Sequence, residues 1–283
     1  MLTLSNVEIK AIAKLLKTSD DVTANLLKEQ LKTFDDRLLV EINNEISSSD
    51  IELKESFLNL ALGIKRDRLK NEFLEWGKDK SSTLEKGVFL IASFVNPLLD
   101  IDYCSGLLDK WASLLDNSLK GIKLTQDPTS VINEINHFMF MELGLKGNRE
   151  NYYDPQNSFI DKVLEKKTGN PILLSVVYLL VTNRLGLLFS GVNMPAHFLI
   201  QYADELDPIY IDPFNQGEII TRVVCQERVK MLKLPWQEDY LLTPSNKQIV
   251  IRMMQNLINI YTHEDKPKLK EYLESYVSVL RKG

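Results

Sequence analysis

Gly169-Asn170-Pro171-Ile172-Leu173-Leu174-Ser175-Val176-Val177-Tyr178, continued to Leu185 and closed by Gly186, decides the fold. Asn170 is a residue type that caps helices, and Pro171 suits the first helical position, where its missing N–H is no loss. From Ile172 to Leu185 the segment is apolar on nearly every face, so other elements must cover it on most sides. Gly186 stops it.

Downstream come three short extended runs, Leu187 to Val192, His197 to Tyr202 and Ile209 to Asp212, with Ala203-Asp204-Glu205-Leu206-Asp207 as the hairpin connection between the last two. A buried helix against a small antiparallel sheet predicts an α+β core within a mainly helical chain. After it, Val223 to Leu232 reads as helix, Ser245 caps Lys247 to Tyr261, and Lys266 to Leu280 follows. Upstream, Ser158 is expected to cap Phe159 to Lys167, with Asp161 at the box position and Gly169 past the end. The polar, aromatic stretch Asn148 to Asn157 before it lacks a helical period and reads as a loop. Asp127-Pro128 opens a helix predicted to run to about Leu143.

The first 120 residues read as serial helices. Ser5 with Glu8 forms a capping box, Ser47-Ser48-Ser49-Asp50 breaks the chain before a long helix from Ile51 to about Trp76, and Ser82 with Glu85 is a second box. The expected division is an N-terminal helical region over 1–125, a core over 126–222 and C-terminal helices over 223–283.

Composition narrows the function classes. The 283 residues are 44% hydrophobic and 26% charged, with a formal net charge of −5. That charge argues against a broad grip on nucleic-acid phosphates. No run reaches the length of a spanning helix and the N-terminal segment lacks a signal-peptide pattern, so no membrane insertion and a cytoplasmic location are expected. Cys104 and Cys225 suggest neither a disulfide framework nor a zinc site, and the three scattered histidines do not add one. No metal and no cofactor are expected.

His197 and Asp212 carry the chemistry. If the hairpin turns between Asp204 and Glu205, the two stand directly opposite on one face, close enough for a carboxylate to orient the imidazole. Such a pair can take a proton from a nucleophile and stabilise the imidazolium. It can equally close a structural hydrogen-bond network beside Pro213. A thiol is missing from the place where this chemistry needs one, since the first turn of the buried helix is Pro171-Ile172-Leu173-Leu174.

Asn151 to Ile160, Lys167 to Tyr178, Gly191-Val192-Asn193-Met194-Pro195-Ala196-His197-Phe198-Leu199 and Ile211-Asp212-Pro213-Phe214-Asn215 together resemble the bacterial SirB-type branch of the transglutaminase-like superfamily. The strong part covers about Glu142 to Gly217. The resemblance implies a papain-like core in which Gly169 and Gly186 match the glycines that flank the nucleophile, placing Pro171 where active members have Cys. It gives His197 and Asp212 the other two triad positions. Proline can neither attack nor be activated, so the standard thiol route is absent.

Where the family has Pro-Gly-His, this chain has Pro195-Ala196-His197, implying that the peptide before His197 needs no left-handed conformation. Ser175, one helical turn on, is a hydroxyl that could stand in for the thiol or bond back to the preceding carbonyl. Tyr153, Asp154 and Asn157, in a loop the resemblance makes prominent, and Asn170 either line the cleft or brace it. Arg252 and Asn256 share a helix face and are expected to clamp the C-terminal helices to the core. The C-terminal helices resemble a reduced tetratricopeptide-like element.

The function these features imply is a non-catalytic module binding a peptide or protein. The alternative is a hydrolase or amide-processing enzyme using His197 and Asp212 to activate water or substrate.

Overall fold

The computed structural model describes residues 5–18, 21–120, 127–202 and 208–282. The expected hairpin connection Ala203 to Asp207 lies outside the described residues.

Helices α1 (Asn6–Thr18), α2 (Asp21–Leu31), α3 (Asp36–Glu45), α4 (Ile51–Lys78), α5 (Leu84–Ser93) and α6 (Ile101–Ser118) form the first part of the chain. Side-chain caps start several of them, because the first N–H groups of a helix have no partner of their own. Asp35, Asp50 and Asp100 accept from the backbone N–H three residues on. The box expected at Ser82 and Glu85 is not formed; Thr83 caps α5 instead, accepting from Lys86 N at 3.2 Å. Glu85 cannot reach back because it is held 2.8 Å from Arg184 Nη2.

Helix α7 (Pro128–Asn136) continues as a π-helical segment, His137–Glu142, to the end expected from sequence. Next come β1 (Lys146–Gly147), a 3-10 turn at Pro155–Ser158, α8 (Ile160–Lys166) and β2 (Thr168–Gly169), which pairs in parallel with β1. Ser158 does not cap α8. It is buried, and α8 begins without a side-chain cap, while Lys167 in the left-handed conformation (φ 60°) ends it ahead of Gly169.

The central helix is α9 (Pro171–Arg184), in which every residue from Pro171 to Thr182 is buried. Asn170 caps it, accepting from Leu173 N at 2.8 Å. Truncating Leu173, which has no exposed surface, to Ala would cost about 2–5 kcal/mol.

A four-stranded antiparallel sheet, β3 (Phe189–Val192), β4 (Leu199–Tyr202), β5 (Ile209–Asp212) and β6 (Glu218–Ile220), lies beside α9 in that order. Phe189, Ile200 and Ile211 join α9 in the main core. The alternate residues Val192, Leu199, Tyr210 and Ile220 pack with Cys225 and Val229 of α10 (Arg222–Met231) on the opposite face. The pairing is displaced by two residues from the expected register: Ile200 stands opposite Ile211, not Ile209. An even displacement keeps each side chain on its own face.

Finally α11 (Asn246–His263) and α12 (Pro267–Lys282) form an antiparallel pair. Ser245 and Gln248 close a reciprocal capping box at the start of α11. Met253, Met254 and Leu257 of α11 and Tyr276 of α12 enter the same core as α9, so the C-terminal helices form one wall beside the start of α9.

Candidate functional site

His197 lies in the turn between β3 and β4, two residues before β4 begins. Ala196 ahead of it has φ 57°, so the left-handed peptide that Pro195-Ala196-His197 was expected to avoid is present after all. Met194 O accepts from His197 N at 3.3 Å and closes this turn, which fixes the backbone irrespective of the missing glycine. The turn points the imidazole at the end of β5, where Nε2 is 2.9 Å from Asp212 Oδ2.

Asp212 is fully buried and well supplied with donors. Arg228 Nη1 donates to Oδ2 at 2.6 Å and Asn215 Nδ2 to the same oxygen at 2.7 Å. Asn215 N reaches Oδ1 at 3.3 Å. Burial pushes the carboxyl upward, but the hydrogen bond and charge of His197, then Arg228 and Asn215, outweigh it and hold Asp212 at about 2. Arg228 was not anticipated from sequence. It comes from α10, across the sheet, and nothing in its local pattern marks it.

The rings of Phe214 and His197 are nearly perpendicular with centroids 6.3 Å apart, and Phe214 also meets Tyr152 at 5.8 Å. Gly147 lets Phe214 sit there, since a Cβ at that position would lie 2.6 Å from the ring. These contacts border an open cleft of about 1020 Å³ whose lining includes His197, Pro171, Ile172, Tyr153 and Arg252. No described residue hydrogen-bonds His197 Nδ1. Thus His197 and Pro171, the start of α9, line one cleft, with Asp212 buried behind the imidazole.

This arrangement of a helix N-terminus, a histidine and a buried aspartate sits inside a matched segment covering more than half of the chain, as residues 104–255 match the transglutaminase-like superfamily. The chain belongs to that superfamily.

Among the chain's relatives, a UPF0162 protein of Xylella fastidiosa (strain Temecula1) is 30% identical over 194 residues, covering 66% of this chain and 68% of the relative. A UPF0162 protein of Vibrio cholerae is 27% identical over 188 residues, covering 65% and 68%. F-box only protein 21 of Mus musculus is 31% identical over 182 residues, covering 54% of this chain but 29% of that protein. No solved structure matches the chain.

Within the transglutaminase-like site the remaining sequence candidates separate. Tyr153 is 68% exposed at the cleft, and its ring lies 6.3 Å from that of His263. Asp154 and Asn157 are not among the cleft-lining residues. Asp154 accepts from Gln156 N, and Asn157 spends both ends of its amide on Asn148, Asn151 and Tyr152. Ser175 has no exposed surface; its hydroxyl donates to Pro171 O at 2.8 Å, with Phe198 O at 3.4 Å. That proton is committed to the backbone.

Asn170 lines the cleft and donates through Nδ2 to Ser158 Oγ at 2.8 Å, which also accepts from Asn256 Nδ2 at 3.2 Å. Arg252 donates to Met194 O at 3.3 Å. Arg252 and Asn256 therefore tie α11 to the core as expected, and both also face the cleft.

Cys104 and Cys225 are buried, and burial pushes each thiol up to about 11, away from nucleophilic use. Among the described residues no group of three or more His, Cys, Asp or Glu is placed to hold a metal ion, and no helix is long and apolar enough to cross a membrane.

Proposed function

We propose that this transglutaminase-like protein is a peptide- or protein-binding module of the SirB-type branch that uses the former substrate cleft without covalent catalysis. Pro171 carries the reading. The residue at the helix start, on the cleft lining it shares with His197, has no group that can attack, and the nearest hydroxyl on α9, Ser175, is buried and donating to a carbonyl. The cleft nonetheless remains open and bordered by exposed Tyr153, the kind of aromatic surface that anchors partners. In this reading residues 126–222 are the core, flanked by helical regions over 1–125 and 223–283, and the site of action is cytoplasmic.

Panning a random-peptide phage library on the full chain tests it. Enrichment that disappears with Tyr153→Ala, in the absence of peptide cleavage, is the expected result. No enrichment, or enrichment indifferent to Tyr153, overturns it.

A second reading is a hydrolase in which His197 draws a proton from water while Asp212 orients the ring. The 2.9 Å pair at the edge of an open cleft favours it. Mass spectrometry of the same peptide pool after incubation separates the two: cleavage that is lost with His197→Ala supports the hydrolase and removes the binding-only reading.

A further inference from the structure

One wall of the cleft that His197 lines is built from the facing sides of α11 and α12. On α11, Arg252, Gln255, Asn256 and Asn259 recur at helical spacing along that side. Because α12 runs back along α11, its last turn lies level with the first half of α11, so Arg281 and Lys282 come to the same end of the cleft as Arg252. Among the described residues the only carboxylate on this lining is Glu274, which is already 3.7 Å from Lys270. Among the described residues Arg252, Arg281 and Lys282 therefore bring three cations to this cleft, in a chain whose formal net charge is −5.

The helix dipole accounts for part of this. Arg281 and Lys282 sit in the last turn of α12, where a cation is favoured in any case. Arg252 has no such reason, lying in the first half of α11, beyond the reach of a terminal dipole. Among the described residues it donates to one carbonyl, Met194 O, and no carboxylate pairs with it. Burial holds its guanidinium below the usual arginine range. A partly desolvated cation without a counter-charge gains from an anion brought in from outside.

We infer that the cleft takes an extended acidic peptide, whose Asp or Glu side chains pair with Arg252, Arg281 and Lys282 while its backbone crosses the start of α9 beside His197. This rests on the peptide-binding reading of the same cleft and adds the charge of the ligand.

The test is fluorescence anisotropy on the full chain with a labelled peptide of alternating Glu and Ala, about twelve residues long so as to span the cleft at roughly 3.3 Å per residue. Its Gln-and-Ala counterpart is the control. The Glu peptide is expected to bind about tenfold or more tightly than the Gln peptide, and to weaken by a similar factor with the surface double variant Arg281→Glu/Lys282→Glu. Raising salt from about 50 to about 500 mM should weaken it further.

Arg252→Gln, which keeps a polar side chain, provides a second variant with the same expected direction. Equal binding of the two peptides, lost with Tyr153→Ala, overturns the charge assignment and leaves the cleft reading standing. Binding of neither peptide overturns both. Preference for a single-stranded oligonucleotide of the same length over the Glu peptide also overturns the inference.

Discussion

Arg228 Nη1 and His197 Nε2 converge on one oxygen, Oδ2 of Asp212, from 2.6 and 2.9 Å. The carboxylate is thus shared between a permanent cation and the imidazole, rather than reserved for the histidine. A fully buried carboxylate that shares one oxygen with a permanent cation depends on that cation for its charge balance.

Removing Arg228 should therefore destabilise the protein more than its partial exposure suggests. Arg228→Met leaves a fully buried carboxylate without its permanent counter-charge, and about 3 kcal/mol is expected from urea unfolding at pH 7. In the Arg228→Met/Asp212→Asn double variant the loss should be smaller than the sum of the single losses. Additive losses would mean the two do not act as a pair.

The same carboxylate predicts an acid dependence. Asp212 is held at about 2 when folded, against an ordinary value of 3.8. A carboxyl with a lowered folded pKa binds fewer protons in the folded than in the unfolded state, so stability rises with pH across that interval. The contribution is complete above about pH 4 and is lost as pH falls toward 2, on the order of 2 kcal/mol. Urea midpoints of wild type and Asp212→Asn, compared between about pH 5 and pH 2.5, should converge as pH falls; a constant difference would refute it.

Ala196, at φ 57°, bears a strain that glycine would not. Ala196→Gly is expected to stabilise by about 0.5–1 kcal/mol, the relief of the left-handed conformation exceeding the extra freedom of glycine in the unfolded chain. Ala196→Val should lose about 1–2 kcal/mol. Thermal unfolding of the two variants reads both directions.

Restoring a thiol offers a chemical probe of the site. Pro171→Cys places sulfur at the first position of α9, on the cleft lining that also holds His197. Helix N-terminus and imidazole together favour the thiolate. Iodoacetamide should alkylate this thiol about tenfold or more faster at pH 7 than Cys104 or Cys225, and the rate should fall with His197→Ala in the same chain. A rate unaffected by His197 would show that the two residues do not communicate.

Much of the fold was legible because helical period and caps are local signals. The apolar run from Ile172 announced the burial of α9, which holds through Thr182, and the extended run Ile209 to Asp212 is a strand with those bounds. The local signals failed where a side chain was claimed by a distant partner. Ser158 resembles a helix cap, but Asn170 and Asn256 bind its hydroxyl. Glu85 resembles half of a capping box, but Arg184 binds its carboxylate. The strand register missed by two because it rested on an assumed turn centre, and it is the turn ahead of β4 that brings His197 to Asp212. Arg228 and the cationic end of α12 left no trace in sequence because their neighbours are set by the packing of whole elements.

Ser158 joins three pieces of the molecule through one hydroxyl: its own 3-10 turn, Asn170 at the start of α9, and Asn256 on α11. A floor and a wall pinned to a common buried point cannot open independently. The width of the groove is consequently set from underneath, by a buried atom outside its lining.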